Sequence, residues 1–125
     1  MKRGTWAEIN LNNIKHNFHA LKNTLEADTK VCCVVKADAY GHGAVEVAKM
    51  LQQEKADYFS VARFEEAVEL RNNNIHTPIL CMGYISESDI EEAINRYIGI
   101  TVYSYEMAKI INQKAGKLGK KASIH

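Results

Sequence analysis

Residues 31–43, VCCVVKADAYGHG, read as a β-strand that runs into a glycine-rich loop, and the stretch behind them, Ala44 to Lys55, has helical period with Val45, Ala48 and Leu51 or Gln52 on one face. Strand, tight connection and amphipathic helix make one βα unit. The unit recurs outward along the chain. Further candidate strands are Tyr58 to Arg63 (YFSVAR), Pro78 to Gly83 (PILCMG), Gly99 to Ser104 (GITVYS) and Lys121 to His125 (KASIH). Helical stretches separate them: Phe64 to Arg71, with Phe64, Ala67, Val68 and Leu70; Glu87 to Arg96, with Ser86 as N-cap and Asp89 three residues on; and Tyr105 to Leu118, stopped by Gly119. Alternation of this kind predicts a parallel sheet with covering helices.

Two elements precede the repeat. Asn12 to Leu25 carries Ile14, Phe18, Leu21 and Leu25 at helical spacing, and Thr5 to Leu11 (TWAEINL) alternates like a strand of a separate sheet or an extended arm on the barrel. The charged opening, Met1-Lys2-Arg3, has no apolar segment of the kind that leads a secreted chain.

Five βα units suit either an open doubly wound sheet or a barrel. The chain ends within an apolar strand, a bare edge that a complete domain avoids, and a TIM-type barrel needs about 250 residues. We therefore expect α/β architecture, residues 1–125 being about the first five units of a parallel (β/α)8 barrel in a truncated fragment.

Composition excludes more than it identifies. Sixteen basic and fifteen acidic side chains give a formal charge of +1 without a dense basic run, so neither nucleic acid nor an anionic membrane surface is an expected partner. No apolar run is long enough to cross a bilayer, and a cytoplasmic protein is expected. Cys32, Cys33 and Cys81 lie in apolar runs without metal-ligand spacing. They are expected to be small buried hydrophobes in a reducing compartment, with Cys32 and Cys33 on opposite strand faces, and no metal site is expected.

The segment that carries chemistry is VVKADAYGHG, Val34 to Gly43. By period 2, Cys32, Val34 and Lys36 share a strand face; if that face lines a barrel, the amine emerges at the carboxyl end, where barrel enzymes hold their sites. A desolvated lysine there favours its neutral form, ready to condense with an aldehyde such as pyridoxal phosphate. Tyr40 could direct its phenol at the cofactor phosphate, while Gly41 and Gly43 let the backbone pass close to a ligand. By residue physics alone, a strand-end lysine is more often solvated and a tyrosine here packs on a rim. Arg63, ending the second strand, could offer a charge near the site, but a surface or helix-capping arginine is at least as common; Asn72-Asn73-Asn74 reads as a helix-ending turn, and Glu65-Glu66 as charges favourable to a helix N-terminus.

VVKADAYGHG resembles the cofactor-lysine signature of alanine racemases over ten consecutive positions. TWAEINL, LNNIKHNFHAL, SVARFEEAVELR and TPILCMGY also resemble that family, in order. The resemblance implies a pyridoxal 5'-phosphate enzyme that interconverts L-alanine and D-alanine and supplies D-alanine for peptidoglycan. Lys36 would bind the cofactor covalently and accept the proton from the D-isomer, Tyr40 would bind the phosphate, and Val34 and Met82 would line the cofactor pocket. Core packing explains an apolar residue at 34 or 82 equally well. The family forms homodimers, and its second base is a tyrosine from the partner subunit's carboxy-terminal β domain. That tyrosine, the arginines facing the pyridine nitrogen and the substrate carboxylate, and the main phosphate cradle all match positions beyond His125, so residues 1–125 alone are expected to be inactive. TWAEINL matches a strand that joins the second domain. The competing readings are a barrel-type amino-acid decarboxylase, a non-catalytic pyridoxal-phosphate carrier, and a βα domain that binds no cofactor.

Overall fold

In the computed structural model, which describes residues 4–125, strands and helices alternate in the order the periodicity predicts. The charged opening at residues 1–3 lies outside the described residues. The elements are α1 (Leu11–Lys22), β1 (Cys32–Val34), α2 (Lys36–Gly41), α3 (Ala44–Gln53), β2 (Tyr58–Val61), α4 (Phe64–Asn72), β3 (Ile79–Cys81), α5 (Ile90–Asn95), β4 (Ile98–Ile100) and α6 (Tyr105–Lys117).

All strand pairs are parallel, and their spatial order is β1-β2-β3-β4. That order discriminates between the two expected architectures. A doubly wound sheet reverses direction from an inner strand, whereas a barrel adds each strand beside the last. The sheet is the opening run of a (β/α) barrel. The expected fifth strand is present as a single parallel bridge, Ile100 with Ile124, supported by hydrogen bonds from Ile100 N–H to the Ser123 carbonyl and from Val102 N–H to the His125 carbonyl.

One sheet face meets the helices. Val35, Phe59, Val61, Ile79, Cys81, Ile98 and Ile100 are all buried there, together with Ala44, Val47, Ala48 and Leu51 of α3, Phe64, Ala67 and Leu70 of α4, and Ile90, Ala93 and Ile94 of α5. Burying a large aliphatic or aromatic side chain contributes about 1.5–3 kcal/mol, so this layer carries most of the stability. On the opposite face Cys32, Val34 and Tyr58 are exposed, while Ser60 is buried.

Several expectations change. Cys32 lies on the face opposite the helices and is exposed, Cys33 is half-buried, and only Cys81 is a buried hydrophobe; the two neighbours do take opposite faces. The Cys33 thiol is pushed up to about 11, mainly by burial and then by the neighbouring Cys32 and Asp57. Helix α5 starts at Ile90 with Asp89 as its N-cap residue, because the Ser86 hydroxyl donates to the Asp89 carboxylate instead of capping a helix amide. Leu21 is exposed and Leu25 lies beyond α1, whose inward contacts are Leu11, Ile14 and Phe18. Residues 5–10 are exposed and form no strand among the described residues; Asn10 caps α1, accepting from the amides of Asn12 (2.9 Å) and Asn13 (3.3 Å).

Candidate active site

Strand β1 delivers the chain to Val35, whose amide still donates to the Ser60 carbonyl at 2.9 Å and whose side chain is buried under the helices. Lys36 comes next, half-buried at the carboxyl end of the sheet. Among the described residues its amine makes no hydrogen bond or ion pair.

The backbone beyond it is the unusual feature. Ala37, Asp38, Ala39 and Tyr40 all have φ between 51° and 55°, so the expected glycine-rich loop begins as a left-handed helical turn built from residues with side chains. Each such residue costs roughly 1–2 kcal/mol relative to right-handed backbone. Isolated positions of this kind occur in turns, but four in succession persist only where the surroundings over-determine them.

Those surroundings are visible. Within the turn, Ala39 N–H donates to the Val35 carbonyl (3.0 Å) and Gly43 N–H to the Asp38 carbonyl (2.9 Å). The Asp38 carboxylate accepts from Ala44 N–H at 2.7 Å and so caps α3, and the His42 ring nitrogen Nδ1 pairs with the Ala39 carbonyl at 2.9 Å. Gly41 and Gly43, at φ 83° and 89°, end the turn where left-handed backbone suits glycine.

A further tie comes from the next unit. Glu66 Oε1 accepts from Ala37 N–H at 2.7 Å, while Oε2 accepts from Ala62 N–H and Arg63 N–H, both at 2.9 Å. Burial pushes the Glu66 carboxyl up, but hydrogen bonds from the Arg63, Ala37 and Ala62 amides outweigh it and hold the group below the usual carboxylate range. Arg63 is the N-cap residue of α4 and is exposed, as its capping reading expects. The reading of Glu66 as a helix N-terminal charge is therefore incomplete. Its longer-range bond reaches 29 residues back along the chain.

The other predicted residues gather at the same end of the sheet without closing on one another. Tyr40 ends the left-handed turn, 61% exposed. Val34 is 41% exposed on the sheet face opposite the helices. Met82 follows β3, half-buried, with its amide on the Val61 carbonyl and its own carbonyl accepting from the Tyr103 hydroxyl. Gly83 beside it packs so tightly that a Cβ would lie 2.1 Å from the Ala62 carbonyl oxygen. Thus β3 and β2, the strand beside β1, meet closely at their carboxyl ends.

A cavity of about 520 Å³ lies at the opposite, amino end of the sheet, bounded by Tyr58, Leu80, Tyr97, Gly99 and Ile124 among others. Barrel enzymes use that end for stability rather than chemistry. The residues missed in sequence are Asp38 and Tyr103, while Glu66 was read only as a helix N-terminal charge. Asp38 had a local signal of its own, an acidic side chain just ahead of a helix start.

Comparison with known proteins identifies the family and the fold. Residues 9–125 match the family described as "Alanine racemase, N-terminal domain". The chain is 46% identical over 120 residues to an alanine racemase of Methanococcus maripaludis, covering 96% of this chain and 32% of that protein. Alanine racemase of Clostridium difficile superposes with a TM-score of 0.94 at 55% identity, over 97% of this chain and 32% of that one, and has also been solved in complex with cycloserine. The Bacillus anthracis alanine racemase with bound L-Ala-P superposes at 0.89 with 31% identity, over 100% of this chain and 32% of the other. The chain spans about a third of the length of the relatives it matches.

Proposed function

The chain belongs to the alanine racemase N-terminal domain family, and on that basis we propose that it forms the cofactor-lysine portion of an enzyme interconverting L-alanine and D-alanine with pyridoxal 5'-phosphate. The observation that carries the reading is Lys36: a half-buried amine, uncommitted among the described residues, at the carboxyl end of β1 and directly ahead of a heavily braced turn. The donor set fits the cofactor, because a free primary amine suits its aldehyde, the Tyr40 phenol its phosphate, and Val34 and Met82 the faces of its ring.

When bound, the cofactor draws electrons away from the substrate Cα and so weakens the Cα–H bond. The chain's own part is to hold and move a proton. Lys36 Nζ accepts or returns it on one face of Cα, Tyr40 orients the phosphate, and the left-handed turn keeps both at fixed separation along the backbone. Racemisation also needs a base on the opposite face, and none of the residues read here is assigned that role. Residues 1–125 therefore form the beginning of the barrel domain and turn over no alanine by themselves. Residues 5–11 would join a second, β-type domain. The whole protein is a cytoplasmic homodimer whose D-alanine serves peptidoglycan. Cycloserine and L-Ala-P on the relatives support a small-molecule substrate.

Borohydride reduction in the presence of pyridoxal phosphate tests the reading. A pyridoxyl mass on the Lys36 peptide, lost in Lys36→Ala, is expected; no adduct, or one on another lysine, sinks it. Alanine turnover by the 125-residue chain alone would overturn the claim of inactivity.

A further inference from the structure

Lys36 acts through its position, and what holds that position is not local. The peptide that follows it, at Ala37 N–H, is tied to a side chain 29 residues away, on the helix that follows the neighbouring strand. We propose that Glu66 is the positioning residue of the cofactor lysine: one carboxylate clamps the turn behind Lys36 to the end of β2 and thereby sets where its amine stands. This inference rests on the reading of Lys36 given above.

Three features support it. Both carboxylate oxygens are used, one toward the turn and one toward Ala62 and Arg63, so the clamp spans two βα corners rather than decorating one helix. All three partners are N–H donors, so the site requires acceptors on both oxygens. Glutamine would aim its own NH₂ at one of these amides and lose that side of the clamp. Finally, Ala37 is the first of four left-handed residues, so the bond is made where the chain commits to that hand. Helix capping alone needs only the Arg63 amide. The bond to Ala37 adds nothing to α4 and is explained by what it does to the lysine segment.

The test uses the full-length protein as wild type, Glu66→Gln, Glu66→Ala and, as control, Glu65→Gln at the exposed neighbouring position. Pyridoxal phosphate affinity is read by titration. In cofactor-free protein, the acylation rate of Lys36 is read relative to that of Lys49 by peptide mass spectrometry. Both Glu66 variants are expected to weaken cofactor binding about tenfold, the scale of one hydrogen bond to a charged group. They should also change the Lys36 to Lys49 acylation ratio, with helical content retained and Glu65→Gln altering neither readout. Unchanged affinity and ratio would overturn the proposal, and so would unfolding of both Glu66 variants, which would make the carboxylate a fold element only. If wild type itself leaves no borohydride adduct on Lys36, the cofactor reading falls separately, while the acylation ratio still decides whether Glu66 positions the lysine.

Discussion

Helix α4 carries a charged clamp at each end, and the two differ in what they hold. Near its start, at the carboxyl end of the sheet, the Glu66 carboxylate gathers three backbone N–H groups. Near its finish, at the amino end, the Arg71 guanidinium gathers four carbonyls: Arg96 (2.9 Å), Ile75 (2.6 Å), Thr77 (2.9 Å) and Tyr97 (2.9 Å). An acid at a helix start and a base at its end also suit the helix dipole. The parallel arrangement makes the division of labour unavoidable, because a helix between parallel strands runs back against them. One end of α4 meets the strand ends that barrel enzymes use for chemistry, and the other meets loops that only need closing. Glu66 touches the segment of the candidate cofactor lysine. Arg71 touches β3's approach and the α5–β4 corner.

The sharpest way to break this contrast is Arg71→Ala. Four carbonyls lose a charged donor, and we expect a loss of about 3 kcal/mol, read by denaturant unfolding. Cofactor capture by the remaining folded protein should be unaffected. A loss of capture without a loss of stability would erase the distinction between the two ends.

A smaller effect probes the strain at the carboxyl end. Ala37 is exposed at φ 51°, a conformation glycine adopts freely. Ala37→Gly is expected to stabilise the chain by about 0.5–1 kcal/mol, the relief of left-handed backbone less the extra entropy glycine loses on folding. Destabilisation would mean that the turn is not strained at this position.

The smallest expected effect is set by pH. Arg71 stays charged across the acid range, whereas Glu66 titrates. Because the folded-state pKa of Glu66 lies below its unfolded value of about 4.3, its contribution is complete above that value and disappears as pH falls through the lower, folded one. Amide-exchange protection at Ala37, Ala62 and Arg63 should therefore fall first in acid, with the α5–β4 corner still protected. Equal loss at both ends would remove the carboxylate from the account. Glu54, held low mainly by its hydrogen bond from Lys15 and then by that from His19, should release α1 from α3 over the same range.

Much of this was legible before the fold was seen. VCCVVK, YFSVAR and PILCMG each contain the observed strand, GITVYS overlaps β4 but misses its first residue, Ile98, and the helices begin within a residue or so of their periodic runs, apart from α5. Ser86 misled there because its hydroxyl had a nearer carboxylate to satisfy. The left-handed turn was not legible, since Ala-Asp-Ala-Tyr has no glycine and its residues individually favour right-handed backbone. Nor was Glu66, whose position three residues past Arg63 is fully explained by capping.

What the sequence determined by itself is the βα alternation, the position of Lys36 at a strand end and the family likeness, because hydrophobic period and contiguous motif are local properties. The strand order, the hand of the turn after Lys36 and the double clamp of Glu66 were decided only by the tertiary structure. Each depends on groups brought together from distant parts of the chain, and the energy of those contacts overrides what neighbouring residues prefer.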